Sequence, residues 1–590
     1  MKHHAGSGLS SDENTKKEDE DRVRRKKLGF VSLILLFSVT FLMLGGCAKK
    51  EEPIASNGEI DEFQKFVFSS NSEVTGLNPL LNTTAPDNGL QAIILETLID
   101  SVADEDGTAI IKAAAAETWD VSEDGLVYTF KIRDNAVWND GVPVTADDFV
   151  FTYRMMATPE VGSTNAWLFD GVIRNFGEAL YEGTKTPDEI GVEAIDEKTV
   201  QFTLVKPCAY FLDLLTGAKP VREDKWEEWG STYGSSHDKI VMNGPFLIDS
   251  WDQNVQMTLV KNEDYWDAAN VKLDVIERKV IREPATAVQA LLSGQIDVVG
   301  TNDPEWRQVI EAEGDKFRMI QMPDSAPEFL GFNCNNKYFK NPKIRIAFSL
   351  GFDREKYVED LRYGLSEPLY SLIPSVINCG DMPYKERVGG RNEIVKELME
   401  QYPDPRALLV EGLVEEGFDP DPSKMDVKYA TRGTAEYSKK SAEWLQQQYE
   451  EVLGVSIIID MMEWNIMWEK VDQNDYDICT AGWGPYYNDP NALLEIFHPT
   501  DGYFDSTKTG WTGPDAGKYA ELLEKASSST DDDERAELFL EAEKLLVGTG
   551  VVAPTYCAVS TIYLADYVKG YYVSPVAGVD YTKIYTVGRP

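Results

Sequence analysis

The sequence predicts a mixed α/β protein of several domains, and three observations carry the prediction. At ~150–250 residues per domain, a chain of 590 residues makes two to four domains, with ample material for buried cores. With 43% hydrophobic and 11% aromatic residues, it is too apolar for a disordered acidic chain despite a formal charge of −43. Strand and helix signals alternate irregularly along the body of the chain, with no repeat of fixed period.

The elements follow in chain order. Thr118-Trp119-Asp120 leads into the turn signal Asp124-Gly125, and in Val127–Arg133 the residues Tyr128, Phe130 and Ile132 alternate with Thr129, Lys131 and Arg133, the period of a half-buried strand. Asp140-Gly141 marks a second turn. Thr145 ahead of Asp147-Asp148 reads as a helix start, with Thr145 capping and the acids facing the helix dipole, not as a catalytic carboxylate pair. Thr199–Leu204 alternates again through Val200, Phe202 and Leu204, and Gly244 reads as a turn glycine like Gly125 and Gly141. Near the end, Thr530 is the expected cap of a helix whose first turn holds Asp531, Asp532 and Asp533. Leu538, Ala542, Leu545 and Leu546 line one face of that helix, and Gly548 is expected to close it in the left-handed conformation. Trp119, Trp138, Trp251 and Trp266 are expected in cores or seams.

The amino-terminal segment addresses the chain. Arg22, Arg24, Arg25, Lys26 and Lys27 precede an uncharged stretch, Leu28–Leu44, then Gly45, Gly46 and Cys47. A basic region, an apolar region and small residues before a cut make a secretory signal. Leu44-Gly45-Gly46-Cys47 resembles the lipobox of bacterial lipoproteins, in which Cys47 becomes the acylated first residue; an uncleaved signal anchor is the alternative. The expected arrangement is a signal over residues 1–46, a charged tether over 47–65, and lipid anchoring on the extracytoplasmic face of the cell membrane. Residues 1–22 look unlike any part of a signal, and Val23 would make a normal start were its codon read as an initiator.

Composition also excludes functions. A −43 chain lacks the basic face that nucleic acid requires. Of four His, His3 and His4 sit at the start, leaving His237 and His498, neither in zinc-ligand spacing nor beside a G-x-S-x-G elbow. Gly517-Lys518 is followed by Tyr519 without a P-loop's glycines. No metal, cofactor or catalytic group is expected. Besides Cys47 there are Cys208, Cys334, Cys379, Cys479 and Cys557, an odd number without C-x-x-C spacing, so at least one thiol stays free unless it pairs between molecules.

Five stretches are more specific than any of these patterns: Ala116–Gly125 running on to YTFKIRDNAVWNDGVPVTADDFVFTYRMM; Asn243-Gly244-Pro245-Phe246 with Trp251 and Lys261–Trp266; Leu292–Asp297; Phe332-Asn333 followed by NPKIRIAFSLGFDREKYVE; and Ala481–Pro490. In order and spacing they resemble the peptide/nickel-binding family of ABC-transporter solute-binding proteins, family 5, in its oligopeptide-binding branch, over about residues 66–590. The resemblance implies a two-lobed periplasmic-binding-protein-like α/β fold of the large three-domain type (class II), with a hinge and an interlobe cleft. One lobe would comprise a subdomain of 66–95, 221–323 and 557–590 and a second of 96–220; the other lobe would be 324–556. It also implies a monomer that captures oligopeptide, closes, and delivers its cargo to an ABC permease, without being an enzyme. An oligosaccharide cargo, or a peptide-sensing receptor without transport, is the alternative.

Site residues come from the same resemblance. Relatives usually carry an Asp at the position of Tyr486, where it pairs with the peptide α-amino group; a tyrosine hydroxyl carries no such charge. Asp489 is a candidate replacement, with a turn role beside Pro490 as the alternative. A ligand whose amine is masked or differently placed, or one held by its backbone, is therefore expected. Trp464 and Trp483 match pocket tryptophans, Arg432 is a candidate partner for a ligand carboxylate, and Trp167 falls near a cleft-lining segment. Asn82–Pro86, with Thr84 and Pro86, occupies a segment that in relatives pairs with the peptide main chain.

Overall fold

The computed structural model describes residues 60–433 and 436–590. The signal, Cys47 and most of the tether lie outside the described residues.

Two four-stranded sheets share one core. In the first, Lys65–Ser70 pairs in parallel with Val275–Val280, which continues antiparallel through Gln256–Lys261 to Phe246–Asp252. The second is antiparallel throughout, in the order Ala116–Val121, Val127–Ile132, Thr199–Thr203, Val192–Asp196. The alternation read from the sequence points Tyr128, Phe130 and Ile132 inward, where Phe130 meets Phe202 edge-to-face and Trp138 is fully buried. Thr145 starts its helix as expected. Its N–H donates to Asp148 Oδ2 at 2.8 Å, and Trp138 Nε1 donates to the same oxygen at 3.2 Å, so Asp148 is a structural carboxylate.

A seven-stranded sheet builds the rest. Its order is Val298–Gly300, Val552–Ala565, Phe317–Phe332, Ile478–Gly482, Lys428–Arg432, Ile458–Met462, with Ser366–Pro368 also paired to Val552–Ala565. Phe329, Leu330, Val552 and Ala553 lie in a second core whose members run from 329 to 553, whereas Leu564 and Ala565 lie in the first. The two long strands Phe317–Phe332 and Val552–Ala565 thus link the lobes as an antiparallel ribbon. Its ladder is interrupted between Pro323 and Pro327, opposite Val559 and Cys557. Proline donates no ladder hydrogen bond, and the Cys557 thiol donates to Asp324 O at 3.0 Å inside the gap.

Three local expectations are corrected. The carboxy-terminal helix Asp532–Gly548 is capped by Asp531, not Thr530, because the Asp531 carboxylate accepts from two amides, Asp533 N and Glu534 N, at 3.0 and 3.2 Å. Gly548 is its last helical residue, and the left-handed position falls on Gly550 (φ 69°). Gly244 is not a turn glycine of positive φ: a Cβ there would lie 2.6 Å from the Ile94 carbonyl carbon, so close backbone approach fixes its identity. All five described cysteines are free, and among the described residues no helix is long and apolar enough to cross a membrane.

Candidate functional site

A cavity of about 780 Å³ opens between the lobes, within the range of ligand sites. Trp167, Asp170, Lys206 and Tyr210 line it from the lobe of the two smaller sheets; Trp483, Tyr486, Tyr487, Glu495 and Tyr503 line it from the other. Local chemistry presents these groups. The short turn Ala166–Phe169 buries Ala166 and Phe169 and leaves Trp167 42% exposed. After the strand Ile478–Gly482 the segment Trp483–Pro490 leaves the sheet, burying Tyr487 and exposing Tyr486 by 54%.

The rings form a continuous series. Trp167 meets Tyr486 edge-to-face across the cleft at 5.0 Å between centroids, and Tyr210 stacks on Tyr487 at 4.4 Å. From Tyr486 the series runs to Trp483 (6.0 Å), Tyr503 (5.0 Å), Trp468 (5.7 Å) and Trp464 (5.2 Å). It ends under the Arg432 guanidinium, 4.9 Å from the Trp464 ring. Such rings give large, weakly directional contact area to a ligand. Trp483 Nε1 is buried without a hydrogen-bond partner.

The structure thus brings Trp167, Trp483 and Tyr486 together on the cavity wall and leaves Trp464 and Arg432 at the far end of the ring series. Asp489 is corrected as a candidate for the ligand amine. It is 3% exposed, its Oδ2 accepts from Arg535 at 2.6 Å, and its Oδ1 accepts from Asn491 N at 2.9 Å. Arg432 is not an unanswered cation, since it donates to Glu328 Oε1 at 2.6 Å. Thr84 and Pro86 line no described cavity. Thr84 caps the helix Ala85–Ile94, its N–H donating to Asp87 Oδ2 at 3.1 Å and its carbonyl accepting from Asn88 N at 2.9 Å, while Pro86 has no N–H.

Sequence reasoning missed Tyr210, Tyr503 and Glu495. Glu495 was findable: Tyr487, Asn491 and Glu495 recur every four residues, a polar stripe through an apolar run. Tyr487 OH donates to Glu495 Oε1 at 2.8 Å and Asn491 Nδ2 to Oε2 at 2.8 Å. Desolvation pushes the Glu495 carboxyl up to about 7. Asp170, Asp501 and Glu524 also border the cavity, against Lys206 and His498. No group of three His, Cys, Asp or Glu among the described residues is placed to hold a metal.

Residues 110–505 match the family described as bacterial extracellular solute-binding proteins, family 5 Middle. The chain is 30% identical over 470 residues to a dipeptide-binding protein, DppE, of Bacillus subtilis (strain 168), covering 79% of this chain and 82% of that protein. It is 28% identical to an oligopeptide-binding protein, OppA, of the same organism, covering 92% and 97%. Among solved structures it is similar to the substrate-binding domain of an oligopeptide ABC transporter from Bacillus anthracis str. Ames, at a TM-score of 0.67 and 26% identity over 90% of this chain and 99% of that one.

Proposed function

The chain belongs to family 5 of the bacterial extracellular solute-binding proteins, and from that premise we propose that it captures oligopeptides in its interlobe cavity and delivers them to an ABC permease for import. The observation that carries the reading is the aromatic cavity itself, contributed by both lobes and joined by the Trp167–Tyr486 contact. The names of the similar proteins, dipeptide- and oligopeptide-binding, support it. A ligand that touches both walls favours the closed arrangement, since only that arrangement contacts it from two sides. The interrupted ribbon at Pro323–Pro327 and Cys557–Val559 is the proposed hinge, with lobes divided as the sequence expects: 66–95, 221–323 and 557–590 with 96–220, against 324–556. The protein acts as a monomer anchored through acylated Cys47 on the outer face of the cell membrane.

Three experiments test this. A peptide mixture added to purified protein raises its melting midpoint, because ligand binds only the native state; a shift with oligosaccharides but not with peptides refutes the cargo. Deletion of the gene abolishes uptake of the bound peptides; unimpaired uptake refutes delivery. Mass spectrometry of the native protein finds an acylated Cys47 at the terminus, and an intact residue 1 refutes the anchor.

A further inference from the structure

We propose that Glu495 is the cation-accepting carboxylate of this cavity, taking an ammonium or guanidinium group of the ligand with the surrounding rings as cation–π partners. The inference rests on the peptide reading above and names the chemistry that the site selects.

The two acids of the Tyr487–Glu495 segment are held differently. Asp489 has a full counter-charge in Arg535. Glu495 lines the cavity, and its hydrogen-bond partners are neutral, Tyr487 and Asn491. Buried acids elsewhere have structural duties. Glu543 accepts the backbone amides of Leu372 and Ile373 at 2.6 and 3.1 Å, and Glu96 accepts from Tyr265 and Trp266 beside Lys219. Neither borders the cavity. A desolvated carboxylate facing a ligand space without a counter-charge gains most from an entering cation.

The surroundings agree. Asp170, Asp501 and Glu524 outnumber Lys206 and His498; Lys206 donates to Ser527 Oγ at 3.3 Å, and His498 Nδ1 lies 3.3 Å from Asp501 Oδ2. Asp489 behind Glu495, Tyr519, and Tyr210 across the cavity add no positive charge. The faces of Trp167, Trp483, Tyr486 and Tyr503 carry the quadrupole that attracts cations. Burial pushes the Glu495 carboxyl up to about 7, and an entering cation favours the carboxylate, so binding near that pH releases a proton.

Calorimetry with matched peptides tests the assignment: acetyl-Ala-Lys-Ala-amide against acetyl-Ala-norleucine-Ala-amide for a side-chain cation, and Ala-norleucine-Ala-amide for the α-ammonium. Wild-type protein binds one of the cationic peptides at least about tenfold tighter than the neutral one, and which one identifies the source. Glu495→Gln abolishes the preference, read as the ratio of the two affinities in the same protein. Near pH 7 the cationic peptide also releases about half a proton from wild-type protein, a measurement that needs no variant. Equal binding of charged and neutral peptides, or a preference retained in Glu495→Gln, overturns the assignment while leaving peptide capture intact. If no peptide binds, butylammonium separates the two readings. A midpoint raised in wild type but not in Glu495→Gln keeps the cation subsite and removes the peptide; no shift removes both.

Discussion

Arg535→Ala should unmask the buried carboxylate that the sequence offered as a ligand contact. The side chains of Arg535 and Asp489 are 1% and 4% exposed and lie 2.6 Å apart. Arg535 also donates to Asp532 Oδ1 and Ala526 O, both at 3.2 Å. Breaking a buried pair from one side costs about 3–5 kcal/mol. Protonation sets a second limit: with an ordinary Asp value near 3.9, neutralising Asp489 costs about 4 kcal/mol at pH 7 and about 1.5 kcal/mol at pH 5. The two estimates agree at pH 7, so the variant loses about 4 kcal/mol there and markedly less at pH 5. Urea unfolding followed by tryptophan fluorescence at both pH values reads this directly. A loss below about 1 kcal/mol at pH 7, or one that does not shrink at pH 5, refutes the reasoning. So does Asp489→Asn if it keeps wild-type stability and removes discrimination between free-amine and acetylated peptides, for then the carboxylate reaches the ligand.

Three further outcomes are expected. Burial pushes Glu96, Asp213, Glu495 and Glu543 up to about 7; raised folded values contribute stability that is lost as pH rises through them, about 1 kcal/mol each for Glu96 and Glu543 between pH 6 and 8. The melting midpoint at pH 6 therefore exceeds that at pH 8 by a few degrees, and a midpoint that rises with pH refutes the sign. Gly244→Ala forces a Cβ to 2.6 Å from Ile94 backbone and costs about 1–3 kcal/mol in thermal unfolding; wild-type stability refutes the close approach. Trp167→Ala removes a ring that is 42% exposed and contacts Tyr486 across the cleft, so peptide affinity falls about 5- to 10-fold while the melting midpoint hardly moves; the reverse pattern makes Trp167 a packing residue.

What could be read in the sequence was whatever depends on near neighbours. The strand at Val127–Ile132 follows from alternation alone, and the Thr145–Asp148 box from two residues three apart. Even there, the choice between Thr530 and Asp531 as cap turned on which side chain reaches two amides, a geometric margin of one residue. Contacts between distant segments left no local trace. Nothing near Asp489 announces Arg535, 46 positions away. Nothing in Gly244 distinguishes a turn from a backbone pressed against Ile94. At Thr84 a helix start was also legible, since a threonine followed three residues later by an acid is a capping pattern.

Asp489 and Glu495 also show why net charge is a poor guide to a site. The chain carries 100 acidic against 57 basic residues, and a surplus of that size accelerates encounter with any cationic ligand through a long-range field that salt screens. Selection needs something the surplus does not provide: a carboxylate held out of water, facing the ligand, with no cation of its own. Asp489 fails that condition through Arg535, and the paired acids of the surface fail it through hydration. Glu495 meets it because Tyr487 and Asn491 orient its oxygens without neutralising them. On the assignment proposed for Glu495, capture rate and ligand choice rest on different carboxylates, the first on many exposed ones and the second on that group at the cleft.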